Sequence, residues 1–306
     1  MLFLPRYCRR CYPYLSFSEK PNNQALSRRY DVIYQQILGV VQAGAPAVIA
    51  TVFLDWIAVS VYSIYNMVVG GINGILSVFI SGLPAAFGEI IVKENKAHLK
   101  MVVSQFEVAY YFILSIAYGL TFALILPFIA IYTGGFGDAN YYIPSLAILV
   151  VFNGLVYNIK TPQSMLIISA GMYRETRWRV TVQGLIILVG GCILVNAFGL
   201  QGIMIASIVS NIYRTVDLLY FVPLHITGER GNISAVRMLK VIGTIIIIVL
   251  PSVFMRMAPA GYFAWCGYAV GYGIYALLVT TIVWFTTDRR EFTEVLQRVW
   301  HMLKRS

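Results

Sequence analysis

The chain has 306 residues, of which 59% are hydrophobic and only 12% charged, with a mean hydropathy of +0.74; a soluble domain carries roughly a quarter charged residues. One water-soluble core cannot absorb so much apolar surface at this length, so a soluble globular fold is excluded and lipid must cover most of that surface. The net charge of +10 does not make a nucleic-acid binder, because the cations sit between apolar stretches, where a membrane protein keeps its anchors.

Residues 1–31 read as a basic cytoplasmic segment with Arg6, Arg9, Arg10, Lys20, Arg28 and Arg29. Pro5 and the arginines that follow interrupt the apolar start before the core of a signal peptide can form. Cys8 and Cys11 form a C-x-x-C with no second pair for zinc. Cys192 and Cys266 lie in apolar stretches, where a thiol behaves as a small hydrophobe.

A bilayer core of about 30 Å takes about 20 apolar residues of helix. Eight stretches meet that length: 32–54, 56–92, 106–133, 142–159, 180–197, 200–224, 239–255 and 262–286. They predict an all-α integral membrane protein of about eight transmembrane helices. These divide into a six-helix lobe (32–227) and two additional spans (228–286). The second stretch is too long for one straight span, and Pro84 with several glycines predicts a kink there. Residues 163–170 are read as extending the fourth span past Pro162. Gly70, Gly71 and Gly74 are read as permitting close helix approach.

Every Lys and Arg except Arg214 and Arg256 falls in the first segment, in 93–100, 160–179 and 230–240, or in 289–305. With eight spans all these groups share one face, which the positive-inside rule makes cytoplasmic, with both termini on that side. An odd number of spans would scramble the pattern. Residues 287–306 place Phe292, Val295, Leu296, Val299, Trp300 and Leu303 at helical spacing. This is an amphipathic helix suited to the cytoplasmic headgroup layer, with a partner-binding helix as the lesser reading.

Charge inside a span is the sharpest signal. Arg214 and Asp217 lie three residues apart, on one face of the sixth span. Buried Arg in a membrane turns toward a bundle interior or a wet cavity. Two readings stand: a cavity wall that attracts an anionic substrate group, or an internal pair that fixes helix packing. Gln35, Gln36, Gln42, Asn66, Asn73, Asn153 and Asn158 also lie within spans, where interhelical hydrogen bonding is the commoner use and substrate contact the rarer. Glu89, Glu107 and Lys160 are read as solvated or capping residues near cytoplasmic ends. His98, His225 and His301 have no metal spacing, and no nucleophile elbow, P-loop or paired carboxylate is found. No enzyme, cofactor or metal is therefore expected.

The stretch Val59-Ser60-Val61-Tyr62-Ser63-Ile64-Tyr65-Asn66-Met67-Val68-Val69 resembles the "GIYSIYNMIV" stretch of bacterial polysaccharide (O-antigen type) flippases, members of the multidrug/oligosaccharidyl-lipid/polysaccharide exporter superfamily. So do Ala85-Ala86-Phe87-Gly88, Ile131-Tyr132-Thr133-Gly134-Gly135, Asp138-Ala139-Asn140-Tyr141-Tyr142, Ala170-Gly171-Met172-Tyr173-Arg174-Glu175-Thr176 and Tyr213-Arg214-Thr215-Val216-Asp217, in matching order. The resemblance implies a transporter in the bacterial cytoplasmic membrane that flips a polyprenyl-diphosphate-linked oligosaccharide by alternating access. The eight spans look like the second six-helix lobe of that fold plus its two extra C-terminal helices. Residues 1–31 resemble the linker between lobes, which implies a separate N-terminal half, self-association or a truncated remnant.

On that resemblance, Arg214 presents its fork to the diphosphate and Asp217 holds the guanidinium. Asn66, Asn73 and Asn158 offer hydrogen bonds to sugar hydroxyls. The rivals are a drug or cation exporter of the same superfamily and a non-transporting assembly subunit. A membrane-embedded glycosyltransferase is more distant. The residues do not indicate a coupling ion.

Overall fold

The computed structural model describes residues 29–93, 96–228, 232–254 and 261–305, and every regular element among them is helical. The segment 1–28, with Cys8 and Cys11, lies outside the described residues, as do Arg230 and Arg256. Helix α1 (Arg29–Phe53) ends just before Asp55, whose carboxylate caps α2 (Trp56–Ile80) by accepting from the Ala58 amide at 2.7 Å. A side-chain oxygen at that position satisfies one of the orphan donors of the first turn. Gly82, at φ 84°, breaks α2 from α3 (Leu83–Val92), and Pro84 falls in the first turn of α3, where its missing N–H costs nothing. The kink expected near Pro84 is thus present.

Helix α4 (Lys96–Tyr132) has 37 residues. At 1.5 Å per residue it is about 55 Å long, well beyond a core of about 30 Å. It begins ten residues before the predicted span. Its loop to α5 (Pro144–Ile159) is tied down by Tyr65, whose hydroxyl donates to the Tyr141 carbonyl at 2.6 Å and accepts from the Ile143 amide at 2.9 Å. Pro162 opens the short α6 (Thr161–Ser169), which carries the chain past the end of α5 as expected.

The next helical segment, α7 (Tyr173–Val222), is a hairpin. Gly199 sits at φ 56°, ψ −135°, a conformation essentially reserved for glycine. The two sides of that break lie antiparallel. Ser210 donates to the Gln183 carbonyl at 2.8 Å, and Arg179 pairs with Asp217 across 38 residues. A Cβ on Gly202 would stand 2.2 Å from the Leu194 carbonyl oxygen. A single rod of 50 residues would be about 75 Å long and could make none of these contacts. The legs, 173–198 and 200–222, match the fifth and sixth predicted spans. A π-helix, Pro223–Thr227, closes the second leg, followed by α8 (Asn232–Phe254), α9 (Tyr262–Thr287) and α10 (Arg289–Arg305).

Among the described residues, seven helical segments are long and apolar enough to cross a membrane. The hairpin at Gly199 turns them into eight legs. The chain is a multi-pass membrane protein. The basic ends of the legs gather at one end of the bundle: Arg177 reaches Asp31, Lys100 reaches the Gly228 carbonyl, and Arg237 reaches Ser104.

Helix α4 is the axis of packing, touching α2, α3, α5, α6, α8, α9 and α10, while α1 packs chiefly on α7. Tyr65, Tyr110, Tyr111, Tyr118 and Trp284 fill the main core. A second apolar cluster at the basic end joins Phe87, Leu99, Leu166, Leu218 and Phe221. The expected interhelical glutamines are there. Gln35 donates to the Tyr173 carbonyl at 2.7 Å and Gln42 to the Val180 carbonyl at 3.1 Å.

Two expectations are corrected. Gly70, Gly71 and Gly74 face open space on the exposed side of α2, because α2 turns its Tyr62–Tyr65–Val69 side inward instead. Close approaches between helices occur instead at Gly119, against Ile248, at Gly154, against Val69, and at Gly191, against Ile49. Glu107 and Lys160 are buried, not solvated, because α8 and α7 close over the ends of α4 and α5. The start of α10 docks on the bundle: Phe292 is buried with its ring 5.3 Å from that of Phe112, and Glu294 accepts from Gln105 at 2.6 Å.

Candidate functional site

On the second leg of α7, Asn211, Arg214 and Asp217 follow at three-residue steps and so share one face. Asp217 accepts from the Arg214 guanidinium at 2.6 Å and from Arg179 on the first leg. Arg214 and Asp217 are buried; Arg179 is partly exposed, its guanidinium 5.1 Å from the Phe221 ring centre. Two arginines thus share one carboxylate across the hairpin.

Beside them Lys160 occupies the joint between α5 and α6. Its ammonium donates to the Asn211 amide oxygen at 2.5 Å and lies 4.5 Å from the Tyr157 ring centre. Gln183 also donates to that oxygen at 3.4 Å, and Asn211 in turn donates to Asn153 at 3.0 Å. Among the described residues no carboxylate stands within ion-pair distance of Lys160. The pocket of charge therefore holds three cations against one carboxylate. Burying a cation with only neutral partners costs several kcal/mol after relaxation. A surplus of this kind attracts an anionic group.

The amides form a second cluster around Asn158, two residues before Lys160 in the chain. The Asn158 amide nitrogen donates to Asn73 at 2.6 Å, to the Tyr118 hydroxyl at 2.8 Å and to the Gly154 carbonyl at 2.9 Å. The structure brings Asn73 together with Asn158, and Arg214 together with Asp217. It does not bring Asn66 to either group, since Asn66 lies on the exposed side of α2.

Sequence reasoning missed Lys160, Arg179, Asn211 and Gln183 as members of the charge cluster. The step from Asn211 to Arg214 was the available signal; nothing local ties Lys160 to it. A buried network at the basic end was also missed. Glu107 accepts from Arg237 at 2.9 Å, from Gln163 at 2.7 Å and from Ser234 at 2.7 Å. Asp288 accepts from Lys240 at 2.5 Å and from Arg237 at 3.4 Å. Glu291 also approaches Arg237 at 3.9 Å, so both cations of this network have carboxylate partners, and it locks α8 and the α9–α10 junction onto α4.

No family model matches the chain, and neither a curated protein nor a solved structure shows significant similarity to it.

Proposed function

We propose that this chain is the transport component that flips a polyprenyl-diphosphate-linked oligosaccharide across the bacterial cytoplasmic membrane, as part of an exporter-type bundle. One observation carries the reading: buried Lys160 and Arg214 and half-buried Arg179 are gathered with Asp217 as the one carboxylate paired among them. A diphosphate is the polyanion that such a surplus suits, and the Arg fork binds it bidentately. The basic end of the bundle is assigned to the cytoplasm by the positive-inside rule.

In the described conformation Arg214 and Lys160 are covered. Binding therefore requires the hairpin of α7 and the α5–α6 joint to part, with the diphosphate taking Arg214 and Arg179 from Asp217. Asn73 and Asn158 then face sugar hydroxyls; Asn66 joins them only if a further helix bundle closes over α2. A cation exporter fits poorly, because the cluster is already short of negative charge.

The test is the content of polyprenyl-linked oligosaccharide in a strain lacking only this gene, measured by mass spectrometry. Accumulation reversed by the wild-type chain but not by Arg214→Ala is expected. Full reversal by Arg214→Ala at normal expression would end the proposal.

A second reading rests on the same pair. Asp217 satisfies Arg214 internally, as in a packing element of a non-transporting assembly subunit. That reading expects no accumulation in the deletion strain and co-purification with a larger membrane partner.

A further inference from the structure

We propose that the basic end of the bundle carries a binding slot for one anionic phospholipid, formed between α3, α4 and α10. A cavity of about 210 Å³ lies there. Its walls are apolar, from Leu83, Phe87 and Ile90 of α3 through Val102 and Phe106 of α4 to Val295 of α10. It is smaller than the roughly 300–1,000 Å³ of a site for a drug-sized ligand. It suits a stretch of a single hydrocarbon chain.

Two polar side chains define what the chain must be attached to. Gln105 is buried at 5% exposure and lines the cavity, and its amide nitrogen donates to Glu294 at 2.6 Å. Its amide oxygen has no partner. Turning the amide over does not help, since it would set that oxygen against the Glu294 carboxylate. A buried acceptor left unmatched costs about 1–3 kcal/mol, and the matching ligand group is a hydroxyl donor. Arg298 stands on the same wall and supplies a cation for a phosphate.

The depth is right for a lipid headgroup. Gln105 lies two residues from Glu107, and Glu107 is linked through Arg237 to Asp288, where the α9 span gives way to the amphipathic α10. An amphipathic helix following a span sits at the headgroup boundary. Hydrocarbon in the slot, phosphate at Arg298 and a headgroup hydroxyl on the Gln105 oxygen, which is sealed from solvent in this conformation and meets the headgroup by a turn of its side chain, together describe phosphatidylglycerol chemistry. Such a lipid bridges α10 to α3 and α4. The site shares no residue with the charge cluster on α7, so it stands whether or not the chain transports.

The test uses the purified full chain in detergent micelles supplied with equal amounts of phosphatidylcholine and phosphatidylglycerol, and counts retained lipid by native mass spectrometry. Phosphatidylglycerol is expected to be held in preference to phosphatidylcholine. Ala86→Trp, placed at the exposed mouth of the slot, is expected to abolish retention. Arg298→Gln should weaken it about five-fold, the worth of one basic residue near an anionic lipid. Gln105→Leu should erase the preference over phosphatidic acid, which lacks the glycerol hydroxyl. If Ala86→Trp fails to elute as the wild type does, the other two variants carry the test. Equal retention of phosphatidylcholine, or displacement by polyprenyl phosphate at equal concentration, would overturn the proposal.

Discussion

The Lys160 ammonium and the Asn211 amide oxygen are 2.5 Å apart, and that neutral contact is what the structure offers a buried cation whose neighbours include Arg214. A lysine placed for packing alone would sit beside a carboxylate. Lys160→Met keeps the length and removes the charge. It is expected to leave thermal stability unchanged or raised, because buried charge gives way to hydrocarbon, while abolishing reversal of lipid-linked oligosaccharide accumulation. Melting in detergent and the accumulation assay together check it; full complementation by Lys160→Met would remove Lys160 from the site.

Asp217 answers for two arginines. Asp217→Asn leaves Arg214 buried without its counter-charge, a loss of about 3–5 kcal/mol for a broken buried pair. The Arg179 share is smaller because that side chain is partly exposed and screened. Replacing Arg214 and Asp217 together by Met and Leu should restore most of the lost melting temperature. A double-mutant cycle measures the coupling, and additive single effects would show that the pair does not interact.

The hairpin depends on Gly199 and Gly202. Gly199→Ala forces a side chain into a glycine-only conformation, at about 1–3 kcal/mol. Gly202→Ala adds a Cβ 2.2 Å from the Leu194 carbonyl, backbone that cannot swing aside. Gly202→Ala is expected to be the more damaging, read as lower yield of folded protein and faster cleavage by protease. Gly70→Ala, in open space, is the control and should be silent.

The docking of α10 should depend on acidity. Hydrogen bonds from Gln105 and then Arg290 hold the Glu294 carboxyl below its usual value of 4.5. A carboxylate whose pKa is lowered on folding stabilises the folded arrangement above its unfolded pKa and loses that contribution as the pH falls through the lowered value. Protection of the α10 amides, measured relative to the intrinsic exchange rate at each pH, should therefore fall as pH drops below about 4.5. Glu294→Gln should weaken docking at neutral pH and flatten the profile.

Much of the fold was legible in the chain because its signals are local. Apolar runs of bilayer length, Pro84 and Pro162 as breakers, and cations on alternate connections each act within a few residues. The separation of two spans at residues 198–199 was legible from the length of the apolar run; the left-handed turn at Gly199 that makes it was not. The site was legible only in part. Arg214 and Asp217 announce themselves as charge within a span. Lys160 and Glu107 looked solvated because each sits near the end of its own span. What buries them is the overhang of α4 and the arrival of α7 and α8, and those contacts are absent from local sequence. The glycines of α2 misled for the same reason: small residues allow a close approach but do not say which side of a helix a neighbour takes.

The pairing of α1 with α7 also constrains how the protein is made. Tyr34 meets Thr181 across 147 residues, and Gln35 meets Tyr173 across 138. At about 5–20 residues per second, a ribosome takes about 7–28 s to lay down that interval. During it α1 is in the membrane with Gln35 and Gln42 lacking their carbonyl partners on α7. The amide side chains of α1 therefore stay incompletely matched in the membrane until the first leg of α7 follows, a delay set by the order in which the partners leave the ribosome.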